Sequence, residues 1–131
     1  MAQGVVAITE QRDGTLRKVS YEAVSEGRRI ADALGTSLTA VIAGAGVGAL
    51  AEDVKACGPD RVVVLDDPGL AEYRTDAYTN AVSAVLKTID PVVVVLGATV
   101  QGKDLCARLA ARLDAGLAVF ERSVVKVWRI I

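Results

Sequence analysis

The sequence predicts an α/β fold: a mostly parallel sheet with helices on both faces, a nucleotide-binding-like three-layer sandwich. Three observations predict it. Short, wholly apolar runs such as residues 92–96 (VVVVL) have the unbroken character of strands buried on both faces. Such runs alternate with longer segments whose apolar residues recur at helical spacing, and that alternation builds a parallel sheet. Glycines gather at the strand-to-helix junctions, Gly44, Gly46 and Gly48 at one and Gly97 and Gly102 at another, where folds of this class turn and receive ligands.

Taken in order, residues 5–9 are the first strand, and Asp13-Gly14 supplies a turn. Residues 19–34 then form a helix with Tyr21, Val24, Ile30 and Leu34 on its apolar side, and Gly35 is placed as its C-terminal stop. A second strand over residues 37–43 leads through the glycine cluster into a short helix that ends near Cys57 and Gly58. Residues 61–65 are the third strand. After the loop Asp66-Asp67-Pro68-Gly69, a helix from about residue 75 to residue 89 brings the chain to the strand at residues 92–96. The next helix, residues 103–113, repeats Leu105, Leu109 and Leu113 at i, i+4 and i+8, with Lys103, Asp104, Arg108 and Arg112 toward the other side. A final strand is expected near residues 116–120. The β-branched tail, with Val124, Val125, Val127, Trp128, Ile130 and Ile131, has strand propensity without one-sided alternation. Left unpaired, it would be an adhesive edge.

Composition bounds the chemistry. A chain of 131 residues can bury the core of one domain without disulfides or metal. A net charge of −1 argues against a nucleic-acid partner, which calls for a basic surface. Histidine is absent, which removes Ser-His-Asp and Cys-His catalysis and histidine-ligated metals. Cys57 and Cys106 stand apart in sequence and read as reduced, small hydrophobes rather than a disulfide, the usage of a cytoplasmic protein. The first dozen residues lack a basic segment followed by a long apolar run, so no secretory signal is expected. The most apolar window, residues 38–51, is too short and too rich in glycine to insert in a membrane.

Two glycine loops carry the candidate binding sites. Gly97, Gly102 and Lys103 stand in G-x-x-x-x-G-K register between a strand and a helix, which makes Gly97, Thr99, Gly102 and Lys103 weak, nucleotide-loop-like candidates for cofactor binding. The eighth position departs from the motif. Asp104 replaces the Ser or Thr that would hold magnesium, and its carboxylate opposes phosphates. Two other readings stand beside this one: a helix N-terminus that receives an anion or a neighbouring subunit, or glycines that only permit a tight turn while Lys103 is solvated. The second loop places Gly44, Gly46 and Ala49 in G-x-G-x-x-A register with Asp66 about twenty residues on, a loose dinucleotide fingerprint outside its usual first βα turn. Asp66 and Asp67 are expected to cap or to be solvated rather than to hold a metal, and Tyr73 and Tyr78 to pack with their hydroxyls at the surface. None of these residues forms a catalytic constellation.

The stretch LGATVQGKDLCARLAARLDAGL, residues 96–117, closely resembles the segment that marks the N-terminal domain of the electron-transfer flavoprotein α subunit. The resemblance extends in order through VAITEQRDGTLRKVSYEAVSEGRRIADALG, LTAVIAG, KACGPDRVVVLDD and LAEYRTDAYTNAVSAVL, and covers roughly residues 4–118. It implies residues 1–118 as that α/β domain and residues 119–131 as a divergent C-terminal tail. Where the family continues in short polar and acidic residues, this chain reads AVFERSVVKVWRII. The resemblance further implies a scaffold that pairs with the electron-transfer flavoprotein β subunit and supports a mobile flavin domain. In such complexes electrons pass from dehydrogenases through FAD to a membrane quinone reductase or another acceptor. FAD belongs to the full-length family and sits mainly in a C-terminal domain outside this chain, so no cofactor is expected here and the chain is expected to be an electron-carrier piece rather than an enzyme. Isolated from its partner, it is expected to form a homodimer. The alternatives are a stand-alone nucleotide-binding α/β domain and a ligand-free interaction module.

Overall fold

Strand β1, Val5–Ile8, is buried along its whole length, and this sets the layering. Val5 and Ala7 pack into one apolar cluster, Val6 and Ile8 into another on the opposite face of the sheet. The computed structural model describes residues 4–119 and 124–128. After β1 comes a small hairpin, β2 (Gln11–Arg12) with β3 (Thr15–Leu16). Asp13 and Gly14 turn it with φ of 52° and 78°, the two positive values that a tight two-residue hairpin turn requires. Helix α1, Lys18–Leu34, follows and ends on Gly35 in the left-handed conformation.

Strand β4, Leu38–Gly44, is also fully buried, and a 3₁₀ turn at Gly48–Leu50 leads into the short helix α2, Ala51–Lys55. Strand β5, Arg61–Asp66, helix α3, Thr75–Ile89, strand β6, Val93–Gly97, and helix α4, Val100–Leu113, complete the α/β body. Strands β7, Gly116–Val119, and β8, Val124–Trp128, close the described chain.

The main sheet runs β5-β4-β1-β6-β8-β7. Its first four strands are parallel, and β8 is antiparallel to both β6 and β7. Ala23, Val24 and Ala31 of α1 and Val54 of α2 bury one face, against Leu38, Ala40 and Ile42. Tyr78, Val82 and Leu86 of α3, with Leu105, Cys106 and Leu109 of α4, bury the other against Val41, Val94 and Leu96. The α/β, mostly parallel, three-layer architecture read from the sequence is therefore the one observed.

Two details differ from the sequence reading. Helix α4 begins at Val100, a turn earlier than its leucine repeat, because Thr99 caps it; the hydroxyl of Thr99 accepts from the N–H of Gly102 at 2.9 Å. The tail does not hang free as an adhesive edge. Strand β8 lies inside the sheet, paired from Gly97↔Val124 to Val93↔Trp128 on one side and from Val119↔Val125 to Gly116↔Trp128 on the other. Ile130 and Ile131, and the last residue of the strand expected at 116–120, lie outside the described residues.

Candidate functional site

From β1 the chain steps outward through β4 to β5, and α3 then carries it back to β6 on the far side of β1. The crevice beyond the carboxyl ends of β1 and β6 is thus the switch point at which open α/β sheets receive ligands. Thr99 and Lys103 of the candidate loop stand on its β6 side. On its β1 side stands Glu10, a residue that the sequence reading did not single out.

Glu10 is 7% exposed, and every oxygen that it turns into the crevice is engaged. Its Oε1 accepts a hydrogen bond from the Thr99 hydroxyl at 2.6 Å, and its Oε2 pairs with Arg17. Its backbone is held as firmly: the N–H donates to Ser20 Oγ at 2.8 Å and the carbonyl accepts from the same hydroxyl at 2.9 Å. The Glu10 carboxylate therefore reaches, through Thr99, the first turn of α4, the position where unpaired N–H groups and the helix dipole favour a negative charge. No local motif signals this, since Glu10 and Thr99 are 89 positions apart; only the topology joins them.

The glycines of the loop are explained by close packing. A Cβ on Gly102 would lie 1.9 Å from the carbonyl oxygen of Gly97, and one on Gly97 would lie 2.4 Å from a methyl of Val19 in α1. Lys103 is exposed, and its backbone N–H donates to the Thr99 carbonyl at 2.8 Å. Asp104, at the position that departs from the nucleotide motif, faces α3 instead. Its Oδ2 accepts from Thr75 Oγ1 at 2.6 Å and from the Tyr73 hydroxyl at 2.7 Å. The Thr75 and Tyr73 hydrogen bonds hold the Asp104 carboxyl below its ordinary range, while burial and then Asp104 push the Tyr73 hydroxyl up.

The second glycine loop closes on itself in a similar way. Asp66 Oδ1 accepts from the N–H of Gly46 at 2.7 Å, so the acidic residue of the loose fingerprint is turned onto the loop. A Cβ on Gly44 would come within 2.5 Å of Val47. Asp67 caps the following 3₁₀ turn, accepting from Gly69 N–H at 2.7 Å. Tyr78 is buried and donates to the Leu70 carbonyl, whereas Tyr73 is half-buried.

Both cysteines are free thiols, Cys106 buried and Cys57 half-buried; burial pushes the Cys106 thiol up to about 12. Among the described residues no group of three or more His, Cys, Asp or Glu side chains is placed to hold a metal ion, and no helix is long and apolar enough to cross a membrane. A cleft of about 610 Å³ lies between β5 and α3 and is lined by Leu65, Asp66, Asp67, Leu70, Ala77 and Ala81.

Comparison with known proteins gives this architecture a family. The model of the electron transfer flavoprotein domain matches residues 5–123. Protein FixB of Clostridium saccharobutylicum is 44% identical over 115 residues, 88% of this chain and 34% of the relative. The electron transfer flavoprotein subunit alpha of Clostridium acetobutylicum is 39% identical over 115 residues, again 88% of this chain and 34% of the relative. The acryloyl-CoA reductase electron transfer subunit beta of Anaerotignum propionicum is 42% identical over 108 residues, 82% of this chain and 29% of the relative. The chain spans about a third of the length of the curated relatives that it matches. With its match running from β1 to beyond β7, and with α subunits and FixB among its relatives, the chain belongs to the electron transfer flavoprotein family.

Proposed function

We propose that the chain is the N-terminal scaffold domain of an electron-transfer flavoprotein α subunit. It pairs with the β subunit and supports the flavin domain while electrons pass from dehydrogenases to a respiratory acceptor. The observation that carries the reading is the family match over residues 5–123, with α subunits and FixB among the relatives. In this reading residues 1–118 are the domain proper, residues 119–131 a divergent tail, and the protein works in the cytoplasm as an electron-carrier piece without catalysis of its own. Isolated, it forms a homodimer.

The family implies FAD, and the residues of this chain do not fit it. The helix terminus that would face a pyrophosphate is already met by the Thr99 hydroxyl and the Glu10 carboxylate. The other glycine loop is closed by Asp66. These contacts support Gly97, Thr99, Gly102 and Lys103 as parts of a tight strand-to-helix joint rather than as cofactor ligands. Chemically, the joint presents a carboxylate where a phosphate would need donors. Mixing the chain with the β subunit of a close relative and following sedimentation tests the proposal. A one-to-one complex is expected, and two components sedimenting independently at micromolar concentrations would contradict it.

A further inference from the structure

We propose that the open edge of the sheet, strand β5, is a self-complementary surface that pairs antiparallel with β5 of a second copy of this chain about a two-fold axis at Val64. The proposal rests on the reading that the isolated chain is a homodimer, and it assigns the interface. β5 is the first strand in the sheet order, with β4 on one side only. Its residues Val62, Val63, Val64 and Leu65 are only half-buried, although they are wholly apolar. An uncovered apolar edge of this kind is where a further strand adds.

The register follows from the hydrogen bonding. Val5 N–H donates to the Ser37 carbonyl and Thr9 N–H to the Val41 carbonyl, so the odd-numbered residues of β4 face β1. The even ones face β5, as the Asp67 N–H to Gly44 carbonyl bond shows at 3.0 Å. By alternation, Arg61, Val63, Leu65 and Asp67 bond inward, and Val62, Val64 and Asp66 turn their N–H and C=O groups outward. An antiparallel partner must set outward residues opposite outward residues. Two symmetric registers then overlap well. Centred on Val63, the pairing sets Arg61 against Leu65 twice and brings no opposite charges together within β5. Centred on Val64, it sets Arg61 against Asp67 twice, Val62 against Asp66 twice, Val63 against Leu65 twice, and Val64 against itself. Arg61 and Asp67 are exposed, and Asp67 has the extended backbone needed to prolong the strand, with φ −150° and ψ 137°. Val63 and Leu65 pack on the α3 face, where Leu65 and Asp67 line a cleft with Leu70, Ala77 and Ala81. Charge thus selects one register, and apolar contact fills it.

Sedimentation equilibrium on the intact chain and three variants tests this, with thermal melts to confirm folding. Arg61→Asp and Asp67→Lys each place like charges opposite each other in the dimer, and each is expected to weaken self-association by about tenfold or more. Mixed together, the two variants again oppose unlike charges, and a heterodimer of wild-type strength is expected. Val64→Pro removes an outward N–H without touching the β4 ladder; it should give a folded monomer. A dimeric intact chain indifferent to all three changes overturns this interface while leaving the homodimer reading standing. A monomeric intact chain overturns both. A chain that is monomeric alone but binds an added β subunit through these same residues overturns the second copy as occupant.

Discussion

Glu10 carries the joint between β1, α1 and α4 through three side chains, Arg17, Ser20 and Thr99. Thr99 both caps α4 and donates to Glu10, so Thr99→Ala removes two interactions and should cost about 1–2 kcal/mol by chemical denaturation. Glu10→Ala leaves Arg17 without its partner, but the Arg17 side chain is 35% exposed; water recovers part of the loss, and about 1–3 kcal/mol is expected. Gly102→Ala drives a methyl into the Gly97 carbonyl at 1.9 Å. Backbone gives way less than a side chain, so this change should equal or exceed the others, at about 3 kcal/mol. If Gly102→Ala were neutral, the packing explanation of the loop would fail. Asp104 and Tyr73 make a separate, pH-dependent contribution. The Asp104 carboxyl is held below its ordinary 3.8, so its stabilisation is complete above that value and is lost as pH falls through the lower, folded-state value. Tyr73 is pushed above its ordinary 10, so its share is complete below pH 10 and is lost as pH rises through the folded-state value. Melting temperature against pH should therefore show Asp104→Asn least different from the parent at the acid end. A difference constant from acid to neutral pH would contradict this.

At the scale of the element, the strands and helices were legible where the period was clean. The four parallel strands and α1, α3 and α4 follow directly from apolar runs and helical spacing, and Asp13-Gly14 turns the small hairpin as its residue types require. The site was legible only in part, because a motif is a local signal and the joint is not. The register Gly97, Gly102, Lys103 drew attention to the loop, yet the group that meets it lies on β1's side of the sheet and is brought there by the parallel pairing of β1 with β6. The place of the tail was equally hidden. β-branched residues announce a strand, but nothing local says that β8 enters between β6 and β7. That place has a consequence. A chain ending at residue 122 loses β8, which leaves β6 without its antiparallel partner and β7 without any. Lower melting temperature and aggregation are expected for this truncation, and an unchanged melt would mean that β8 contributes nothing to the sheet.

For the molecule as a whole, two apolar clusters on either face of one sheet make a rigid body with its ligand crevice closed by its own side chains. Such a body suits a scaffold. It offers surfaces to partners, and the chain covers about a third of the length of its α-subunit relatives. The claim that this segment supports the flavin without holding it is the centre of the account. The most direct test is to incubate the purified chain with excess FAD, pass it through gel filtration and record the visible absorbance of the protein peak. The account predicts a colourless peak, with all the flavin in the small-molecule fraction; stoichiometric flavin travelling with the protein would contradict it.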